Sequence, residues 1–273
     1  MTGQRTNTQE DKEVLLPRES SRGRWNAGRI LAQSFAILLI IASLFPFLFM
    51  VRVALASDRD YLSGIEVLWA SVTLDNFIQV YRGTDIASFL FNSLLFSALT
   101  TVVVLVIGAM AGFGLAKARS AAVRDNIMFF VLSTRMGPPV VFAVPLFLLL
   151  LNFALIDTYV GLLIVYIFYN LAFAIWLMYG FFREVPQEIE EAGLLDGLSP
   201  LGVFGRISLP QAVPGLIATG IFVFIFTWNE FFYALVLTRE TASTFPVAIP
   251  QFFGAFRVEW GEMLAASTMG VIP

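Results

Sequence analysis

Charged side chains are scarce in this sequence, so the few that interrupt its apolar runs mark where chemistry could occur. Of 273 residues, 58% are hydrophobic and 14% charged, where ordinary soluble domains carry roughly a quarter charged. A long polar stretch between two apolar runs is 183–212, REVPQEIEEAGLLDGLSPLGVFGRISLPQA. Arg135, Asn229 and Glu230 stand inside apolar runs. Histidine and cysteine are absent, which excludes disulfides, thiolate zinc sites, iron–sulfur clusters and the usual imidazole base. The two lysines, Lys12 and Lys117, follow Asp11 and Ala116, so neither is the lysine of a GxxxxGK[ST] phosphate loop. The chain is therefore not expected to bind and hydrolyse ATP, to hold a metal or cofactor, or to be an enzyme. Its polar residues are left with binding and transmission of movement.

The elements that must position these residues are apolar and long. Runs at about 30–53, 89–116, 126–151, 160–182 and 213–237 each suffice to cross ~30 Å of hydrocarbon at about 1.5 Å per residue. The third is interrupted by Gly137-Pro138-Pro139. A last run, 263–273, reaches only about half that thickness. The expected fold is an all-α integral membrane protein with six transmembrane helices, the sixth truncated, and a native product that continues beyond Pro273. Residues 1–27 read as a disordered cytoplasmic tail. Residues 28–87 read as a first transmembrane helix with an extracytoplasmic segment, and 88–273 as the main transmembrane domain. Basic residues set the orientation. An inside N-terminus places Arg22, Arg24, Arg29, Lys117, Arg119, Arg124, Arg183 and Arg206 in the cytoplasm, leaving Arg52, Arg59, Arg82, Arg239 and Arg257 outside.

Within 183–212 the local signals describe a folded element. Pro186 suits a first helical turn, and Glu188, Glu190 and Glu191 suit the positive end of that helix. Gly197 is a left-handed stop. Ser199-Pro200 is a cap followed by a first-turn proline, and Leu209-Pro210 ends the second helix. The expectation is a cytoplasmic helix–turn–helix. Its apolar residues Ile189, Ala192, Leu194 and Leu195 exceed what a solvated loop needs, which points to a protein partner.

Glu191-Ala192-Gly193, then Asp196-Gly197, then Ile207-Ser208-Leu209-Pro210 resembles the EAA motif of ABC importer permeases, EAA-x3-G-x9-I-x-LP. Gly193 departs from the usual alanine and lowers helix propensity by up to ~1 kcal/mol. RMGPPVVFAVPLFLLL, FFREVPQEIEEA and FTWNEFFYALVLT are similar to the maltose-type carbohydrate branch. The resemblance covers about 30–273, most strongly 88–273. It implies a cell (inner) membrane permease that moves a sugar or polyol by alternating access. The implied partners are a second permease subunit, two ATPase subunits docked on the EAA loops, and an extracytoplasmic solute-binding protein; nucleic acid is not among them. ATP would be bound by the ATPases. Glu191, Ala192, Gly193, Asp196, Gly197, Ile207, Leu209 and Pro210 would carry the coupling.

The remaining features have two readings each. Arg135 either lines a translocation path or is a structural charge bonded to carbonyls freed at the Pro138-Pro139 kink. Asn229 and Glu230, with Trp228, either line the path or bond between helices. Gly108, Gly112 and Gly114 permit close helix packing. Phe252, Phe253, Phe256 and Trp260 form an interfacial belt or touch a binding protein. Rival functions are a permease for a non-carbohydrate solute, an ion-coupled secondary transporter, and a membrane-embedded enzyme. The secondary transporter lacks a clear internal repeat and leaves 183–212 unexplained. The enzyme lacks paired acids on one span.

Overall fold

The computed structural model describes residues 27–57, 66–254 and 258–272. The tail read over 1–27 lies outside the described residues except for Ala27, as do Arg59, Phe256 and Arg257. Among the described residues every regular element is helical. In order they are α1 (Ala27–Ala54), α2 (Asp75–Gly83), α3 (Ile86–Ala116), α4 (Ala121–Met136), α5 (Pro139–Asn152), α6 (Tyr159–Glu184), α7 (Gln187–Leu195) and α8 (Pro200–Val203). A π-helical turn, Phe204–Ser208, leads into α9 (Leu209–Gln211), α10 (Val213–Trp228), α11 (Phe232–Leu237) and α12 (Phe245–Ala248). A 3₁₀ turn, Ile249–Phe252, precedes α13 (Trp260–Val271). Contacts divide the chain after Leu48 into two units. The first contains most of α1, with Phe35, Leu38 and Ile41 exposed.

Helices α1, α3 and α6 are each long and apolar enough to cross a membrane. Two further spans are counted if bent pairs are taken as single crossings. The third expected span is α4 and α5, bent by 91°. Gly137 and Pro138 are extended there, which fits the bias of a residue before proline against helix. The fifth expected span stops early, because α10 ends at Trp228 and a new helix starts at Phe232. Nor does Leu209-Pro210 end the second short helix. The path widens into the π turn, in which the Leu209 N–H reaches the Phe204 oxygen, and continues through Pro210 to Gln211. The bend comes two residues after the proline: the 200–211 segment meets α10 at 76°.

In the second unit α3, α6 and α10 pack around one another. Val104, Ala174 and Val223 form a buried layer. One turn away Asn170 Nδ2 donates to Thr227 Oγ1 at 3.2 Å. Phe96 meets Tyr166 edge-on one turn further still. In hydrocarbon, dispersion between closely approaching backbones replaces the hydrophobic drive. A Cβ added at Gly112 would lie 2.8 Å from the Tyr179 nitrogen and 3.0 Å from the Met178 carbonyl carbon. These are backbone atoms, so no rotamer change relieves the clash. A Cβ added at Gly108 would lie 3.0 Å from the Ala174 Cβ, whereas one at Gly114 would meet no neighbour within 4 Å. The packing expectation therefore holds for Gly108 and Gly112 and fails for Gly114. Gly112→Ala should destabilise the bundle by about 1–3 kcal/mol through overpacking, read as a lower melting temperature in detergent. Gly114→Ala should melt like the unaltered chain.

The face where α3 and α6 begin is tied by side chains to backbone. Asn76 donates to the Ala54 and Ala56 oxygens at 2.9 and 2.8 Å, anchoring α2 beneath the end of α1. Asn92 donates to the Thr241 and Ser243 oxygens and accepts from Tyr159 Oη at 2.8 Å. The Phe245 N–H donates to Ser93 Oγ at 2.8 Å.

Candidate functional site

Segment 183–212 is built from the local signals its sequence carries. Pro186 stands one residue before α7, at its N-cap, and Glu188 and Glu190 occupy the first turn. Asp196 closes the helix, and Gly197 follows with φ +87°. The Leu198 N–H bonds the Gly193 oxygen at 3.0 Å and the Gly197 N–H bonds the Leu194 oxygen at 3.1 Å. This is the Schellman stop that a left-handed glycine permits. Ser199 Oγ accepts from the Gly202 N–H at 3.2 Å and caps α8, with Pro200 in its first turn. Glu191 and Ala192 are exposed, and Gly193 is buried. A Cβ at Gly193 would meet the Ile207 Cδ1 atom at 2.3 Å. The departure from alanine is thus a site of close approach to another motif residue, and accommodating alanine would require Ile207 to move. Leu209 and Pro210 open α9, half-buried and exposed respectively. All eight motif residues fall in one contiguous unit.

Sequence reasoning named Lys117, Glu190 and Ser208 separately and missed that they meet beneath this unit. Lys117 caps the C-terminus of α3 and its ammonium pairs with Glu190. The Ser208 hydroxyl donates to Glu190 Oε1 at 2.7 Å. Glu190 is 6% exposed and Ser208 is fully buried. The only prior signal was a lone lysine at the end of an apolar run. Beside the pair lies a cleft of about 570 Å³, bordered by Phe113, Arg119, Glu191 and Leu194.

Arg135 lies in the last turn of α4 and is half-buried. Its Nη1 donates to the Tyr169 oxygen on α6 at 2.9 Å. The guanidinium carbon lies 4.5, 4.9 and 5.5 Å from the ring centroids of Tyr169, Phe226 and Phe173. The carbonyl it meets belongs to a neighbouring helix, not to the kink that follows it. Glu230 sits in the break between α10 and α11, where it accepts from the Tyr233 and Ala234 N–H groups at 3.0 and 3.2 Å. These are donors that a helix start leaves unpaired. Asn229 is exposed and donates to the Ile225 oxygen at 2.8 Å, and Trp228 Nε1 donates to the Gly270 oxygen at 3.2 Å. Among the described residues, Arg135 and Glu230 form no ion pair. The Tyr169 ring stands between them in sequence of contacts, 5.5 Å from that of Tyr233.

Asp157, between α5 and α6, also escaped the sequence reading. It has φ +56°, and its carboxylate accepts from the N–H groups of Arg239, Glu240, Thr241 and Ala242 at 2.9–3.3 Å. Partial burial pushes this carboxyl up. The four backbone donors outweigh burial and hold it below the usual carboxylate range. A depressed carboxyl stabilises the fold at every pH above its unfolded value, and that contribution is lost as pH falls through the lowered one. Asp157→Ala should therefore raise amide exchange across 238–244 at neutral pH. The unaltered segment should loosen only in strong acid. Hydrogen exchange resolved by peptide checks both.

Residues 104–272 match the family model for the binding-protein-dependent transport system inner membrane component. The chain is 35% identical over 239 residues to the trehalose transport system permease protein SugB of Mycobacterium tuberculosis, covering 86% of each chain. It is 32% identical over 249 residues to the trehalose/maltose transport system permease protein MalG of Thermococcus litoralis, covering 90% of this chain and 89% of that one. Among solved structures it superposes with TM-score 0.75 and 22% identity on a bacterial ABC transporter involved in the import of the acidic polysaccharide alginate. That match covers 93% of this chain and 95% of the other and is a likeness of fold.

Proposed function

We propose that this chain, which belongs to the family of binding-protein-dependent transport system inner membrane components, moves a sugar or polyol across the membrane by alternating access. The chain is a multi-pass membrane permease subunit of an ABC importer. The carbohydrate class rests on the relatives named for trehalose and maltose. In this reading residues 28–87 form the first span and an outer segment, and 88–273 form the transmembrane domain. The N-terminus is cytoplasmic, and 183–212 faces two ATPase subunits that bind the ATP. A second permease completes the path, and an extracytoplasmic binding protein delivers the solute.

The observation that carries this reading is the build of 183–212. A short helix with an exposed Glu191, Ala192 and Leu194 surface is stopped at Gly197 and capped at Ser199. Such a helix transmits displacement that a floppy loop would absorb. Glu191, Ala192, Gly193, Asp196, Gly197, Ile207, Leu209 and Pro210 form this coupling element. Glu230 and Arg135 act first as a helix cap and a brace. Asn229, exposed beside them, is the strongest path-lining candidate of the three.

The test is uptake by vesicles holding the full complex, with saccharides and polyols screened against the cognate binding protein. ATP-dependent uptake of a saccharide or polyol is expected. Uptake driven by a proton or sodium gradient without ATP would overturn the importer reading, and a non-carbohydrate solute would overturn the substrate class alone.

A further inference from the structure

The short helix α7 has almost no apolar hold on the rest of the chain. Of its residues only Glu190 and Gly193 are buried, while Ile189, Leu194 and Leu195 are exposed. Besides Gly193, which packs closely on Ile207, what fastens it is charge. The Glu190 carboxylate takes the Lys117 ammonium on one oxygen and the Ser208 hydroxyl on the other. Each partner belongs to a different body. Lys117 is fixed to α3 by its own N–H, bonded to the Phe113 oxygen at 3.1 Å. Ser208 closes the π turn that leads to α10. An exposed ion pair contributes little. Here the carboxylate is buried, so losing Lys117 strands a desolvated charge and losing Ser208 leaves one carboxylate oxygen without its donor.

We propose that Lys117, Glu190 and Ser208 form the joint through which displacement of α7 is passed into α3, with Lys117 and Glu190 as its positioning residues. The proposal rests on the reading of 183–212 as the coupling element. Helix α3 packs on α6 through Gly108 and Gly112, so a pull on its C-terminus reaches the centre of the bundle. The joint turns motion of an exposed helix into motion of buried ones.

The test uses the full complex of both permeases, ATPases and binding protein in vesicles. Lys117→Met and Glu190→Gln should co-purify the ATPase at the unaltered level. They should move at least about fivefold less solute per ATP hydrolysed, the lower end of measured couplings between sites. The chain has no cysteine, so a Lys117→Cys, Glu190→Cys double variant can be bridged by a short bis-thiosulfonate linker. Bridging should restore solute moved per ATP, and reductant should remove it. Unaltered coupling in both single variants would overturn the proposal, as would bridging that leaves the ratio unchanged. Where the single variants give no assembled complex, the double variant alone is read, and assembly without reductant-sensitive coupling overturns it. Normal docking and coupling in Gly197→Val and Glu191→Lys would instead sink the coupling-element reading. Uncoupling in that pair alone leaves the reading standing and removes the joint.

Discussion

Gly197→Val should abolish most solute uptake while leaving the chain in the membrane. Gly197 has φ +87°, and no atom lies within 4 Å of where its Cβ would stand. The cost is therefore conformational and not steric crowding by neighbours. For a β-branched residue held in the left-handed region it is about 1–3 kcal/mol. The chain avoids that cost by abandoning the stop, which breaks the Leu198-to-Gly193 and Gly197-to-Leu194 bonds and re-aims α7 relative to α8. Glu191→Lys acts on the same helix without touching its fold. Glu191 is exposed and lies just past the first turn of α7, not in it as its sequence position suggested, so reversing its charge acts on any basic group of the partner. Both variants should weaken ATPase docking or uncouple hydrolysis, lowering uptake by at least about tenfold, within the usual range of coupling energies. Arg82→Gln, at an exposed position of α2, should change neither. ATPase co-purification beside solute-stimulated hydrolysis separates lost docking from lost coupling.

Arg135→Ala should have the second largest effect, and it should appear as lost assembly. One guanidinium holds the Tyr169 carbonyl and faces three rings, drawing α4, α6 and α10 together. Its charge-assisted hydrogen bond and cation–π contacts are together worth on the order of 2–4 kcal/mol. Arg135→Lys should rescue little, because an ammonium has no plane to stack and is more strongly hydrated. Complex yield is measured beside uptake. A fall in both fits a brace. Normal yield with lost uptake would place Arg135 on the solute path instead, and normal values for both would remove both roles.

Much of the architecture was legible because hydrocarbon imposes a length. The runs that became α1, α3 and α6 could be read from residue type alone. So could the Gly197 stop and the Ser199 cap, since each uses donors and acceptors within a few residues. Breaks were legible as breaks but not as angles. Gly137-Pro138 announces an interruption, whereas the 91° turn depends on α5 meeting α11 while α4 meets α6. Leu209-Pro210 misled, because a proline's missing N–H is tolerated where a π turn has already shifted the bonding register. Glu230 read as a charge within a span, and it stands in a gap, where it caps the helix that follows. Lys117 with Glu190, and Asp157 with 239–242, could not be found by spacing. Their partners are distant in sequence, and a lone charge looks the same whether it is solvated or clamped.

A single engineered thiol reports whether the 187–197 surface receives the ATPase. In this cysteine-free chain, Ala192→Cys places one thiol at an exposed position of α7, and Arg82→Cys places one at an exposed position of α2. In the assembled importer a photoactivatable cross-linker at residue 192 should capture the ATPase subunit, with a yield that changes when nucleotide binds. The same probe at residue 82 should capture none. An ATPase adduct at residue 82, or none at residue 192 in a complex that still transports, would show that the ATPase docks elsewhere.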